Sequence, residues 1–272
     1  MLGKLIKHEL RASRRMMLPF ILAELAAALM FGISMNIVGR GISTPEWLDW
    51  IFMLSSILFV VGLIALSAMA YVVMVERFRR NLLGDEGYLM FTLPVTVDQH
   101  IFSKMIAASI WFIVTALVFI GSVFIMLAVN VDFFALDWSE FSQAVMATWL
   151  RALDMVGLGH MLGFALEFIV MMILGIFSAC LMFYLAMAIG YSFSDHKLLI
   201  SVVAFFGVSF VLNLLGALFM FTISSADIYG SIEDPWWPGH IAFLMLIAQA
   251  LLQCVVFYLP TRLLLKKRLN LP

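Results

Sequence analysis

Glu24 and Glu167 stand inside long apolar runs, and their placement asks for a chemical explanation. An ionised side chain at mid-bilayer costs about 2.5–3.5 kcal/mol on the insertion scale, so each must find a polar partner, reach an interface or hold its proton. Glu24 follows Arg15 by nine residues, about 13 Å along a helix axis, which keeps it within the hydrocarbon. Glu167 falls near one end of a later run. As functional groups the two carboxylates would face a polar cavity and attract a cationic part of a substrate. As structural groups they would hydrogen-bond to neighbouring helices, through polar spots such as Asn36, Asn213, Gln249 or Gln253. Both roles stand, with the structural one preferred.

Other chemistry is missing from the sequence. No G-x-x-x-x-G-K-[ST] phosphate loop occurs, so the chain is not expected to hydrolyse ATP, and it binds no cofactor of its own. His8, His100, His160, His196 and His240 are scattered without an H-E-x-x-H, which gives metal-dependent proteolysis no support. No G-x-S-x-G is present. Cys180 and Cys254 lie in apolar runs and suggest neither a disulfide framework nor a metal site. Gly159 and Gly163 form a G-x-x-x-G, but too near a span entrance to read as a dimerisation stripe.

The elements that must carry these residues are membrane spans. A chain of 272 residues, 64% hydrophobic and 12% charged, with a mean hydropathy of +1.09, is an all-α polytopic membrane protein in a single transmembrane domain. Residues 1–15 read as an amphipathic helix, with Leu2, Leu5, Ile6 and Leu10 on one face and Lys4, Lys7, Arg11 and Arg14 on the other. Spans are expected at about 16–38, 50–75, 105–131, 165–191, 198–223 and 241–259. The glycines at 157, 159 and 163 loosen an interfacial approach to the fourth, and Pro260 closes the sixth. A second amphipathic helix, starting near Ser139-Glu140 and carrying Phe141, Val145, Trp149 and Leu153, is expected on the outer surface. With both termini in the cytoplasm, only Arg40 and Arg151 of the 16 basic residues fall outside, and this excess sets the orientation. Trp236-Trp237 then sits in an outer aromatic belt at the headgroup level.

Residues 76–104 are the charged break between the second and third spans, holding Arg77, Arg79, Arg80 and Lys104 with Glu76, Asp85, Glu86 and Asp98. Such a patch is expected to lie in water. Gly84-Asp85 starts one short helix that Pro94 stops, and Thr96-Val97-Asp98-Gln99 is a capping box that starts the next. Tyr88, Leu89 and Phe91 offer apolar side chains either to a docking partner or to the lipid headgroups.

The string LLGDEGYLMFTLPVTVDQHIFSKMI, Leu82 to Ile106, resembles the cytoplasmic loop of ABC-2-type transporter permeases, especially those of Gram-positive bacteria. The basic amphipathic start and the six-span plan resemble that family too. The resemblance implies the ABC-2, type V exporter-like fold, an elbow helix at 1–15, and a coupling helix in which Asp85, Glu86, Gly87, Tyr88, Leu89 and Phe91 dock an ATPase. It implies a bacterial plasma-membrane permease that exports a drug, antimicrobial peptide or lipid-like substrate. Separate ATPase subunits would carry ATP and Mg, and a second copy or sister permease would complete the dimer. Nucleic acid is not an expected partner. The alternatives are a membrane-embedded peptide sensor or immunity protein, and a secondary transporter. No internal repeat links residues 1–131 to 132–272, which counts against the last.

Overall fold

The computed structural model describes residues 2–39, 45–84, 87, 94–130, 137–193, 195–225 and 234–268, without the side chains of 219–225, 267 and 268. Every long element among the described residues is an α-helix. They are α1 (Leu2–Gly39), α2 (Glu46–Phe78), α3 (Val97–Asn130), α4 (Trp138–Val156), α5 (Leu158–Gly190), α6 (Lys197–Ser225) and α7 (Trp237–Arg268), and α2 runs on into a π-helical turn, Arg79–Leu83. All but α4 are long and apolar enough to cross a membrane, so the chain is a multi-pass membrane protein with six candidate spans.

Two compact units divide the chain, one of Met1–Arg77 with Ile106–Val145, the other of Phe78–Met105 with Met146–Pro272. In the first, α1 presents one line of residues at steps of four and seven, Glu9, Ser13, Met17, Glu24, Ala28 and Gly32, and all of them are buried. Met17 joins Leu66, Ala70 and Val73 of α2 in a core that Trp111 and Phe112 of α3 cover. In lipid, burying such groups gives little drive for helix association, so close packing and hydrogen bonds must supply it. Gly32 permits the closest approach. A Cβ there would lie 3.2 Å from the Cα of Met126, so α1 and α3 meet nearly backbone to backbone. Two asparagines reinforce the crossing, Asn36 Nδ2 donating to Val129 O at 2.9 Å and Asn130 Nδ2 to Gly32 O at 3.2 Å. Ser34 and Ser55 join α1 to α2 at 2.7 Å. Bonds of this kind average about 0.6 kcal/mol in a membrane.

In the second unit α5 packs against both α6 and α7. The turn between α5 and α6 is tight because Gly190 has no side chain: a Cβ there would fall 2.6 Å from the Lys197 carbonyl. Phe183 and Phe205 stack across the same pair, centroids 4.6 Å apart.

Four expectations need revision. The amphipathic start is not a separate helix, because α1 is unbroken through Arg15 and Pro19; no residue there supplies a turn, and at 38 residues the helix is about 57 Å long, enough to leave the bilayer. The approach to the fourth span breaks only at Gly157, whose φ of 80° favours glycine; residues 158–164 already belong to α5. Pro260 does not end the sixth span, for α7 continues to Arg268. Its neighbour Thr261 is fully buried and its hydroxyl donates to Phe257 O, one turn back in the same helix, at 2.7 Å. Finally, the charged patch does not all lie in water: Asn81, Leu82, His100, Ser103 and Lys104 are buried.

The surface helix α4 starts at Trp138, one residue before Ser139-Glu140 suggested. Asp137 caps it, accepting the amides of Ser139 at 2.9 Å and Glu140 at 3.3 Å. The Glu140 amide bond, with help from Ser139, holds the Asp137 carboxyl below its ordinary range. No residue of α4 is buried, and Phe141, Val145 and Trp149 are exposed together as an apolar face, the arrangement of a helix lying in a membrane interface.

Candidate functional site

The residues expected to dock a partner, Asp85, Glu86, Tyr88, Leu89 and Phe91, lie outside the described residues. Their flanks are described in detail. At the end of α2 the backbone widens into the π turn, closed by the Gly84 amide donating five residues back to Arg79 O at 2.8 Å. Phe78, immediately before it, stacks on Tyr184 of α5, centroids 4.0 Å apart and planes 8° from parallel. Both rings are fully buried. Gly87 is also buried; its amide donates to Gly84 O at 2.9 Å, and a Cβ there would press to 2.9 Å from the Leu82 carbonyl.

On the other flank the capping box forms as its sequence predicts. The Thr96 amide donates to Gln99 Oε1 at 3.3 Å and the Gln99 amide to Thr96 Oγ1 at 3.3 Å. Asp98, in the first turn of α3, is held by α7. Tyr258 Oη donates to Asp98 Oδ1 at 2.6 Å, Arg262 Nη2 donates to Oδ2 at 2.9 Å, and Arg262 Nε approaches Oδ1 to 2.7 Å. Tyr258 and Arg262 are four apart and so share a helix face. Both ends of the loop are thereby fastened to α5 and α7 of the same unit.

The two intramembrane carboxylates have separate surroundings and none of the partners proposed from sequence. Glu24, 1% exposed, lies against Gly62 of α2, where any Cβ would overlap its carboxylate. Ser122 of α3 faces it, but that hydroxyl donates to Val118 O at 2.6 Å, and neither Glu24 oxygen has a hydrogen bond of good geometry. Glu167, in contrast, meets His240 Nδ1 with both oxygens at 2.9 Å. His240 Nε2 lies 2.9 Å from His160 Nδ1, and His160 Nε2 lies 3.2 Å from Asp234 Oδ2. The histidines, scattered in sequence, were missed as a pair. One signal was available: His160, Phe164 and Glu167 follow one another at four and three residues, on one face of a helix.

Asn213, Gln249 and Gln253, suggested as partners for the carboxylates, instead line an open-sided cavity of about 640 Å³ among α5, α6 and α7, together with Ser178, Gly216 and Phe257. Ser178 Oγ donates to Gln253 Oε1 at 2.9 Å. A second, mostly apolar hollow of about 450 Å³ shares Gly216, Gln249 and Gln253 with it. Hydroxyls and amides without charge, among apolar walls, suit an amphiphile with an uncharged hydrogen-bonding group. No protein-family model matches the chain, nor does any curated protein or solved structure.

Proposed function

We propose that the chain is the permease subunit of an ABC-2-type ATP-binding cassette exporter in a bacterial plasma membrane. It works with separate ATPase subunits, which hold ATP and Mg, and with a second copy or a sister permease. The observation that carries this reading is the fastening of residues 78–105 at both ends, through Phe78 on Tyr184 and Asp98 on Tyr258 and Arg262. A push on the loop from an ATPase would reach α5 and α7 directly. Those helices also line the amide-bearing cavity, which favours a lipid-like substrate with an uncharged polar group over the other classes. A secondary transporter is the second reading, favoured by the chain of polar contacts from Asp234 through His160 and His240 to Glu167.

Purified from its native membrane in mild detergent, the permease is expected to retain a subunit that carries a phosphate-loop motif and Mg-dependent ATPase activity. Transport driven by an ion gradient, with no ATPase retained, would replace this reading by the second. The orientation has its own test. In a background without Cys180 and Cys254, cysteines at Lys4, Lys197 and Lys267 are expected to resist an impermeant thiol reagent in intact cells, and cysteines at Ser225 and Ser231 to react. Labelling of Lys4→Cys from outside would overturn it.

A further inference from the structure

We propose that Asp234, His160, His240 and Glu167 together form a binding site for one proton, shared between the two imidazoles. The argument is a count. Three gaps separate the four groups, at 3.2 Å from Asp234 to His160, 2.9 Å from His160 to His240 and 2.9 Å from His240 to Glu167. The last two have hydrogen-bond geometry and hold one proton each, while the first is an ion-pair contact that attracts only with a proton on His160. Two neutral imidazoles bring one N–H each, and two carboxylates bring none. If His240 Nδ1–H donates to Glu167, its Nε2 must accept from His160 Nδ1–H. A bare His160 Nε2 then faces a bare Asp234 oxygen. One added proton on His160 Nε2 turns that contact into an ion pair, keeps both hydrogen bonds and leaves the site with a net charge of −1.

That proton has two seats, one on each imidazole. With His160 doubly protonated, Nδ1–H donates to His240 Nε2. Breaking that N–H as a new one forms on His240 Nε2 moves the positive charge to His240 and preserves both hydrogen bonds, with His160 Nε2–H still facing Asp234. No co-reactant is needed. The chain therefore holds a proton and passes it between a wetter end and a drier one: side-chain exposure is 38% at Asp234 and 26% at His160, but 8% at His240 and 13% at Glu167.

The neighbours fix the ring directions on which the count depends. Phe164 stacks on His240 with centroids 4.0 Å apart and planes 7° from parallel. Gly163 makes the fit possible, since a Cβ there would lie 2.8 Å from His240 Cε1, and a Cβ at Gly239 would lie 2.9 Å from Phe164 Cζ. Trp237 stands edge-on to both rings, 6.5 Å from His160 and 5.7 Å from His240. The Trp236 amide engages Asp234 Oδ1 at 2.9 Å, leaving Oδ2 for His160. Among the described residues, the charged groups paired with the rings are Glu167 from α5 and Asp234 before α7, both acidic. The four groups are strung end to end, and no set of three converges as metal ligands would among the described residues.

The site has a place in the mechanics of α7. His240 lies nine residues before Gln249 of the cavity and eighteen before Tyr258 of the loop clamp, about 13 and 27 Å along the axis. Proton binding ties the start of α7 to the start of α5, at the opposite end of α7 from the loop. This inference does not depend on the transport reading, and a failed ATPase pull-down leaves it intact.

The test uses the full chain in lipid nanodiscs and follows tryptophan fluorescence from pH 5 to pH 8, the range in which histidine changes charge. A protonated imidazole quenches an adjacent indole, and Trp237 is the reporter. The expected result is one step that fits one proton and is abolished by His160→Gln and by His240→Gln alike. Glu167→Gln keeps an acceptor for His240 but removes a charge, so the step should persist with the proton bound about 10- to 100-fold more weakly. Two independent steps, each lost with one histidine, would overturn the shared site, as would the absence of any step in the unsubstituted protein. If the histidine variants do not give monodisperse protein, Glu167→Gln decides alone, and an unmoved step rejects the proposal.

Discussion

Replacing Tyr88 and Phe91 together by alanine is expected to weaken association with a partner ATPase by on the order of 10²- to 10³-fold. The two aromatics are three residues apart and would share one side of a short coupling helix. Buried aromatic anchors cost about 2 kcal/mol or more each on truncation, and about 1.4 kcal/mol is a factor of ten. Insertion of the permease should not change, since both residues lie outside the six long apolar helices. Gly87→Pro separates contact from geometry. It removes no docking side chain, but it deletes the amide that donates to Gly84 O at 2.9 Å and places atoms where a Cβ already presses on the Leu82 carbonyl. It should lower coupled ATPase activity as well. The measurement is ATPase co-purified per inserted permease. If the double variant retains as much ATPase as the unsubstituted chain, the loop is a turn resting on headgroups and the docking role is withdrawn.

Glu24→Lys is expected to abolish folded yield, while Glu24→Gln leaves it close to that of the unsubstituted chain. Glutamine has nearly the shape of glutamic acid and keeps its oxygen towards Ser122. Lysine is longer, and Gly62 already leaves no space beyond the carboxylate. Overpacking costs about 1–3 kcal/mol, and an unpaired charge at this depth about 2.5–3.5 kcal/mol more. A total of about 4 kcal/mol would reduce the folded fraction roughly a thousandfold. The monodisperse peak in detergent size exclusion measures it. A second outcome carries function: if Glu24→Gln assembles normally but abolishes transport, the carboxylate serves the substrate path and its role is not only structural.

The expected apolar runs reappear as α1 to α3 and α5 to α7, because hydropathy over about 20 residues is a local property that lipid reads directly. The capping box at Thr96 and Gln99 was legible for the same reason, both partners lying within one turn. Breaks were harder to read. Gly157, Gly159 and Gly163 look alike in sequence, yet only Gly157 takes a positive φ, while Gly163 makes room for a ring on another helix. Pro260 looked like a stop, and burial of Thr261 and Leu265 beyond it explains why α7 goes on. Lys104 counted as a solvated charge until packing buried it.

Glu167 shows where local reading ends. Its need for a polar partner followed from bilayer energetics alone, but the candidates chosen were amides, and the residue that meets it is His240, 73 positions away. Which histidine arrives, and which ring nitrogen it presents, depends on how α5 and α7 cross and on the space that Gly163 leaves. The sequence by itself determined that the chain is a multi-pass membrane protein, which stretches are apolar enough to cross and where the charged break falls between them, since these depend on neighbours along the chain. Only the tertiary structure decided that Asp98 is clamped by Tyr258 and Arg262, that three polar spots line one cavity, and that His160 and His240 share a hydrogen bond, because each requires residues on different helices to meet within about 3 Å.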